Sequence, residues 1–387
     1  MIRRVLAVSV SLLLIAAQPA SAAEVSVLGG ETLEFNAAPS ETNLVSMSLS
    51  GARNNWKVTI ADYGAPIEAG SGCELDGALA VCSYESRQPG EVQAGLADGA
   101  DSFDGSGLDD PDPHQPVYPA EVDGGTGADE ITIGTLYSCA DGGEGDDTIT
   151  MLGHPPKAEI FERCFTTAGP GGDEIIGSSV YDAIGGGPGA DLVRGRGGND
   201  ILSGGSAESG VDSVLGGGGN DSFYNSGLGS ETLMGGPGKD FLHAYSVGLH
   251  RGDTAFTGGS GRDTASYLCG RCEIRLDGLA NDGRPGIDDG DNVDAEAVWI
   301  QSAETTDGSY GPGHDVLEGG AAAEFLGSKR GDDLVIGGEG RDVIDAGLDD
   351  DRVHAEDGER DVVECGEGED VARTDRFDIV HGCERVR

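Results

Sequence analysis

The chain has 387 residues, and its 70 acidic side chains outnumber its 24 basic ones, giving a formal net charge of −46. Glycine provides 68 residues, whereas aromatic residues make up only 5%. A charge of this sign argues against nucleic-acid partners and against anionic membrane surfaces, because phosphate groups would repel the chain. The glycines follow no strict three-residue period, which excludes collagen. What remains is either disorder or a repetitive, glycine-turned, acidic architecture.

The first 22 residues have the pattern of a secretory signal peptide. Arg3 and Arg4 form a positive start, an apolar run covers residues 5–17, and Ala20-Ser21-Ala22 is a small-residue cleavage site. The apolar run is too short to span a membrane, which takes about 20 apolar residues. The sequence therefore predicts a signal peptide over 1–22 and a secreted, extracellular protein without membrane insertion.

The cysteines number eight, which in an exported chain favours disulfides over free thiols. Closeness in the sequence is the sole basis for choosing among the pairings that eight cysteines allow, about 105 in number. Cys269 and Cys272 have the spacing of a redox dithiol, but the residues on either side are typical of strands, so a structural disulfide is favoured there as well. The predicted pairs are Cys73–Cys82, Cys139–Cys164, Cys269–Cys272 and Cys365–Cys383.

Residues 23–95 differ from the rest of the chain. Val45, Met47 and Leu49 alternate with polar residues, and the segment from Trp56 to Ile60 does the same. A period of two is typical of half-buried strands. Thr32–Phe35 and Leu79–Tyr84 are further candidate strands. We expect a small antiparallel β module, closed by Cys73 and Cys82.

Residues 96–387 repeat a nine-residue unit, Gly-Gly-x-Gly-x-Asp-x-apolar-x. Gly124–Thr132 and Gly142–Thr150 are two of its clearest copies. The aspartates keep the spacing over long stretches, as in the series Asp333, Asp342 and Asp351. Interruptions are expected at 104–122, 157–167 and 270–310. A disordered linker would have no reason to keep an apolar residue two places after each aspartate, as this chain does at Ile131, Ile149, Ile175, Val193, Leu202, Phe223, Leu242, Val335 and Ile344.

The chemistry of this unit points to calcium. Glycines permit tight turns with positive φ, and such turns present carbonyl oxygens on one side. The following aspartate adds carboxylate oxygens. Flexible sites made only of oxygen suit Ca²⁺ better than Zn²⁺ or copper, and Mg²⁺ demands a stricter geometry. The last three residues of each unit would form a short strand, and two units would make one coil of a parallel stack.

The array resembles the hemolysin-type calcium-binding repeat (repeats-in-toxin, RTX) family, over roughly residues 96–383. The resemblance implies an all-β fold, a right-handed parallel β-roll, with several Ca²⁺ ions held by turn carbonyls and the sixth-position aspartate. Glu231 and Glu324 replace that aspartate, and Ser328 and Lys329 replace the first two glycines before Asp333, so calcium is less expected there. The metal ligands implied are Asp129, Asp147, Asp173, Asp191, Asp200, Asp221, Asp240, Asp263, Asp315, Asp333, Asp342 and Asp370, with Asp101, Asp212, Asp351 and Asp361 in weaker copies.

Calcium also accounts for the acidity. Carboxylates of neighbouring turns repel one another without ions, and the glycine turns carry a high entropy cost. We therefore expect the exported chain to fold as it binds calcium.

Other functions have less support in the sequence. No Gly-x-Ser-x-Gly, His-Glu-x-x-His or phosphate loop is present, so no catalytic site is expected. A pore-forming toxin would need an apolar or amphipathic membrane segment, which residues 23–95 lack. The main alternative to a secreted or surface structural protein is an adhesin that recognises a partner or glycan through the N-terminal module. A repeat-bearing hydrolase or toxin is the more distant one. The identity of any cell-surface or matrix partner stays open.

Overall fold

The computed structural model describes residues 22–51, 55–84, 90–108, 120–134, 138–153, 165–205, 210–225, 229–245, 254–269, 273–276, 292–295, 297–302 and 314–387. The predicted signal peptide lies outside these residues, except for Ala22. All regular structure in the described part consists of strands. Within it, no helix has the length and apolar character needed to cross a bilayer.

In the described residues the N-terminal module has eight strands. Antiparallel pairs join β1 to β2, β3 to β4, and β7 to both β4 and β6. Two further pairs, β1–β5 and β2–β8, are parallel, which the alternation of apolar residues does not reveal. The strands are β1 Ala23–Leu28, β2 Thr32–Asn36, β3 Leu44–Gly51, β4 Trp56–Asp62, β5 Ile67–Ala69, β6 Cys73–Asp76, β7 Leu79–Tyr84 and β8 Glu91–Gly95.

The repeat region forms short parallel strands on two sheets. The chain alternates between the sheets, so each strand pairs with the strand two places later. Ile131 pairs with Ile149, and Ile149 pairs with Ile175 on the next coil. The strands are β9 Ser102–Gly107, β10 Ala120–Asp123, β11 Glu130–Ile133, β12 Cys139–Asp141, β13 Thr148–Met151, β14 Thr166–Thr167, β15 Glu174–Ile176, β16 Ala183–Gly187, β17 Leu192–Gly197, β18 Ile201–Gly205, β19 Val211–Gly218, β20 Ser222–Asn225, β21 Ser230–Gly238, β22 Phe241–Tyr245, β23 Thr254–Gly261 and β24 Thr264–Cys269.

The same architecture continues to the C-terminus. A third sheet begins at β25, which pairs with β28, while the long sheet runs on from β24 through β27 to β35. The strands are β25 Glu273–Arg275, β26 Asn292–Asp294, β27 Ala297–Ser302, β28 Val316–Glu318, β29 Phe325–Gly327, β30 Leu334–Ile336, β31 Val343–Asp345, β32 Arg352–Ala355, β33 Val362–Glu364, β34 Val371–Thr374, β35 Ile379–His381 and β36 Arg385–Val386.

This is the β-roll that the repeat pattern predicts. The middle residue of each strand points inward, and all nine apolar residues predicted for this row are fully buried. The alternation in β3 and β4 also holds, since Val45, Met47, Val58 and Ile60 are buried. Most strands of the coils therefore contribute an aliphatic or aromatic core residue that stacks on the equivalent residue of the next coil, as Leu202 does on Phe223.

The roll and the module share their sheets. β3 pairs in parallel with β9, and β8 pairs in parallel with β10. The N-terminal strands thus continue the two sheets of the roll and cover its first coil.

The expected interruptions lie partly outside the described residues, namely at 109–119, 157–164, 270–272, 277–291, 296 and 303–310. The interruption expected at 270–310 nevertheless contains β25, β26 and β27, which pair with the roll. Val298 takes the buried middle place on β27. The residues around Val298 lack the glycines and the aspartate of the repeat. This segment therefore forms part of the roll although its sequence does not follow the nine-residue pattern.

Two of the predicted disulfides are present, Cys73–Cys82 in the module and Cys365–Cys383 at the C-terminal end. Cys139 is disulfide-bonded as well. Its predicted partner Cys164 and the second member of the predicted pair Cys269–Cys272 lie outside the described residues.

Candidate metal centre

The sixth-position aspartates form continuous hydrogen-bonded rows along the inside of the turns. The backbone N–H of each aspartate donates to Oδ1 of the aspartate one coil later. Asp129 donates in this way to Asp147 at 2.8 Å, and Asp147 donates to Asp173 at 2.7 Å. The other flank has the same pattern, from Asp200 through Asp221 to Asp240 at 2.9 Å per step. The spacing seen in the sequence therefore becomes a physical stack of carboxylates.

The rows resume in the C-terminal coils and end on acidic residues outside the repeats. Asp351 donates to Asp370 at 2.9 Å, and Asp370 donates to Oε2 of Glu384 at 2.9 Å. On the opposite flank, Asp361 donates to Oδ1 of Asp378 at 3.1 Å.

All sixteen aspartates predicted as ligands are buried, none more than 3% exposed. Each carboxylate in the rows uses Oδ1 to accept the hydrogen bond from its neighbour. The second oxygen, Oδ2, is also buried but accepts no hydrogen bond in Asp101, Asp129, Asp147, Asp173, Asp191, Asp200, Asp212, Asp221, Asp240, Asp333, Asp342, Asp351, Asp361 and Asp370. A buried charged oxygen without a partner is costly, so these atoms call for a cation or a proton.

The first glycine of each unit makes the space in which Oδ2 lies. A side-chain carbon added at Gly216 would lie 2.3 Å from Oδ2 of Asp221 and 2.8 Å from the carbonyl oxygen of Gly235. At Gly235 the same test gives 2.2 Å to Oδ2 of Asp240. The carboxylate oxygen and a carbonyl oxygen of the next coil therefore border the same small volume.

Burial raises the pKa of these carboxyl groups, and the carboxylates of adjacent coils raise it further. The pKa reaches about 6 for Asp129 and about 8 for Asp200, with the hydrogen bond to Oδ1 offsetting part of the increase. On the C-terminal coils the pKa of Asp351 is raised to about 8 by the same causes. A bound divalent cation would stabilise the ionised form and release the proton.

The donors fit calcium. No three histidine, cysteine, aspartate or glutamate side chains within the described ranges gather into one metal-binding group. An ion bound at these aspartates would also contact carbonyl oxygens, because the Gly235 carbonyl borders the same volume as the Asp221 carboxylate. A mixed set of carboxylate and carbonyl oxygens is typical of Ca²⁺ and unlike the nitrogen and sulfur ligands of Zn²⁺.

Two glutamates occupy aspartate positions. Glu231 and Glu324 are 2% and 5% exposed, so both lie inside the roll. Oε1 of Glu324 accepts a hydrogen bond from the N–H of Ala322 in its own turn at 3.1 Å. The longer side chain folds back onto its own backbone, which distinguishes this turn from the aspartate turns.

Asp182 belongs to the same rows but is not among the predicted ligands; it is 5% exposed and donates its N–H to Oδ1 of Asp200 at 2.8 Å. Its Oδ2 accepts hydrogen bonds from the backbone N–H and the hydroxyl of Ser178, at 2.6 and 2.9 Å. A serine stands here in place of the second glycine, and it satisfies the carboxylate without a metal. The nine-residue steps from Asp173 to Asp182 and on to Asp191 were the signal that could have found it.

Comparison with known proteins agrees with this geometry. The family model of the RTX calcium-binding nonapeptide repeat matches four copies, over residues 182–207, 225–246 and 328–360. None of the curated proteins matches the chain. The matched segments contain Asp191, Asp200 and Asp240 of the first rows and Asp342 of the later ones. The chain thus carries calcium-binding nonapeptide repeats of the RTX type, wound into a parallel β-roll.

Proposed function

We propose that this protein is an exported structural component whose β-roll folds as its repeats bind calcium. The observation that carries the proposal is the repetition of one feature: buried Oδ2 atoms that accept no hydrogen bond, along row after row of the roll. A stack of such atoms is compatible with a stable fold only when cations or protons neutralise it. Calcium is the cation that the repeats and the oxygen donors favour.

The energetics support folding on metal binding. Each turn fixes glycines, which lose more backbone entropy than other residues. Burial and, to a smaller extent, adjacent carboxylates raise the pKa of Asp191 and Asp240, so their ionised forms oppose folding near neutral pH. Binding energy from the ions would offset both costs. Extracellular calcium modules bind at about 10⁻⁴ to 10⁻³ M, so a chain of this kind would stay unfolded in a low-calcium cytosol and fold after export.

In this proposal the protein has a binding and structural role without catalysis, because calcium accounts for its paired carboxylates. The stacked coils should load cooperatively, since each coil completes the hydrogen bonds of its neighbour.

The test is far-UV circular dichroism of residues 23–387 with disulfides intact, titrated with calcium and, as a control, with magnesium. A cooperative gain of β signal with calcium alone supports the proposal. Full β structure in chelator, unchanged by calcium, contradicts it.

A second candidate function, recognition of a partner by the N-terminal end, has one observation in its favour. An open cleft of about 560 Å³ lies where the module meets the roll. Glu34 and Gln93 line it from the module, and Glu121, Asp123 and Phe165 line it from the roll. Carboxylates and amides beside a half-exposed aromatic ring suit a neutral, polyhydroxylated ligand such as a glycan.

A glycan array probed with the calcium-loaded full chain tests this second function. Reproducible binding of one glycan class, lost in Phe165→Ala, supports it. If no glycan binds, or if binding is unchanged in Phe165→Ala, the second candidate function is contradicted.

A further inference from the structure

The loop before β3 forms an extra turn at the start of the roll. The N–H of Asn43 donates to Oδ1 of Asp101 at 2.7 Å, and the N–H of Ser102 donates to the carbonyl oxygen of Asn43 at 2.8 Å. These are the two bonds that link successive aspartates along each row. Asn43 therefore occupies the place of a sixth-position aspartate, although it belongs to the N-terminal module and lies outside the matched repeats.

The side chain of Asn43 is fully buried, and neither its oxygen nor its nitrogen has a hydrogen-bond partner of standard geometry. It lies beside the carboxylate of Asp101, whose pKa burial raises and the nearby backbone N–H and side chain of Asn43 partly lower. An amide in this state is as costly as the orphaned Oδ2 atoms of the repeats. It marks a polar space between the module and the first coil.

Two more acidic residues of the module face this space. Asp62 is 8% exposed, and its Oδ1 accepts hydrogen bonds from the N–H groups of Leu44 and Gly64, each at 2.9 Å. Its Oδ2 is buried and has no partner. Asp62 also lies near Asp101, because its charge adds to the burial that raises the pKa of Asp101.

Glu41 completes the group. Both oxygens of its carboxylate are buried without a hydrogen-bond partner of standard geometry. Burial and, to a smaller extent, the Asp62 charge raise the pKa of Glu41, and the nearby amide of Ala38 offsets part of that increase. The backbone of Glu41 reaches the same place, because a side-chain carbon added at Gly99 would lie 2.5 Å from the Glu41 carbonyl oxygen and 3.4 Å from Oδ1 of Asp101.

We propose that Glu41, Asn43, Asp62 and Asp101 form a divalent-cation site that ties the N-terminal module to the first coil of the roll. The oxygens are carboxylate, amide and backbone carbonyl, which Ca²⁺ accepts together in a flexible shell. Because the described residues contain no group of three converging acidic side chains, at most two carboxylates ligate the ion and the amide and carbonyl oxygens contribute the rest. The identity of the ion rests on the proposed function, whereas the site itself lies outside the nonapeptide pattern.

The first experiment counts calcium ions on the folded full chain by equilibrium dialysis and native mass spectrometry. The variant is Glu41→Gln with Asp62→Asn, which keeps the size of both side chains and an acceptor for Leu44 and Gly64. The matched control is Glu74→Gln with Asp76→Asn, an equal charge change on the exposed strand β6. The variant should bind one ion fewer than the wild type, and the control the same number. An equal count in the variant overturns the site.

A second measurement decides the question if that variant fails to fold. Tyr63 follows Asp62 and is 77% exposed, so it can sensitise the luminescence of terbium bound at this site. Tyr63→Phe should remove one component of terbium emission that calcium competes away, and Asn43→Asp should lower the half-saturating terbium concentration of that component several-fold. Absence of such a component, or weaker binding in Asn43→Asp, overturns the site.

The outcomes separate this site from the proposed function. If the full chain binds no calcium at all, both proposals fail. If the repeats load cooperatively but the count and the Tyr63 component do not respond to these variants, the junction site alone fails.

Discussion

The hydroxyl of Ser178 donates a hydrogen bond to Oδ2 of Asp182 at 2.9 Å. This bond distinguishes Asp182 from the buried aspartates that follow it in the row, Asp200 and Asp221, whose Oδ2 atoms accept none. Asp200, its partner in the next coil, has an Oδ2 without any donor. The same residue type, in the same place of the coil, is thus satisfied by protein atoms in one turn and left for a cation in the next.

These two residues should respond differently to the same substitution. Asp200→Asn keeps the acceptor for the Asp182 N–H but removes a carboxylate ligand, so the calcium count should fall and the metal-free fold should gain stability. Asp182→Asn replaces an acceptor of two hydrogen bonds with a donor, which should cost about 1.5–3 kcal/mol, with an unchanged calcium count. Calcium dialysis and urea unfolding in chelator measure both effects. A reduced count in Asp182→Asn would contradict the assignment.

The stability of the metal-free chain should fall as the pH rises. Aspartate in an unfolded chain ionises near pH 4, whereas the pKa is raised to about 6 in Asp173 and about 8 in Asp351. Between these values the folded chain binds more protons than the unfolded one, so its stability is highest below about pH 4 and is lost through pH 6–8. Urea unfolding in chelator at a series of pH values tests this. A stability that rises with pH would refute it.

Calcium binding should show the opposite dependence on pH. The carboxylates must be deprotonated to ligate an ion, so loading should release protons and the affinity should weaken below about pH 6. Calorimetry in two buffers of different ionisation enthalpy measures the protons released at pH 7. Equal heats in the two buffers would show that the raised pKa values do not apply to the ligands.

The first glycine of a unit should be intolerant of a side chain, in contrast to the third residue. Gly216→Ala would place a carbon 2.3 Å from Oδ2 of Asp221, so we expect a loss of about 1–3 kcal/mol in stability and one calcium site fewer. Gly218→Ala in the same turn meets no atom within 4 Å and needs no positive φ, so it should be neutral or slightly stabilising. Thermal unfolding with calcium compares the two. Similar losses in both variants would show that Gly216 is not required to leave room for the Asp221 carboxylate.

The disulfide Cys365–Cys383 should hold the C-terminal coil in place. It closes a loop of 18 residues around β34 and β35, and loop-closure entropy makes such a bond worth about 3 kcal/mol. Replacing both cysteines with alanine should increase hydrogen exchange in β33–β36 while β11–β19 stay protected. Uniform loss of protection along the roll would indicate that the terminal coil does not unfold separately.

Much of this fold could be predicted from the sequence, because a β-roll repeats its chemistry at a fixed interval. The buried places of Ile131 and Ile149 follow directly from their position two residues after an aspartate. The same reasoning failed at Asp182 because its unit has a serine where a glycine was required. The repeat pattern also did not predict β27, because Val298 is a core residue although the glycines of the repeat are absent around it.

The site at the module boundary was beyond the reach of a pattern. Glu41, Asn43 and Asp62 are separated from Asp101 by some 40 to 60 residues, and only the pairing of β3 with β9 brings them together. Burial of Asn43 depends on that long-range pairing. Because Asn43 lies in a loop outside the nine-residue repeat, no sequence period predicts it.

The rows of aspartates also have a direction. Every N–H in a row points toward the next coil, so Asn43 begins one row with a donor and Asp378 and Glu384 end two rows as acceptors. A coil inserted between two existing coils would have a donor on one side and an acceptor on the other, whereas a coil added at either end would lie beyond the residues that begin and end the rows. The protein can therefore change its length in evolution by whole coils from within, in steps of about 4.8 Å, and its two ends stay the same whatever that length becomes.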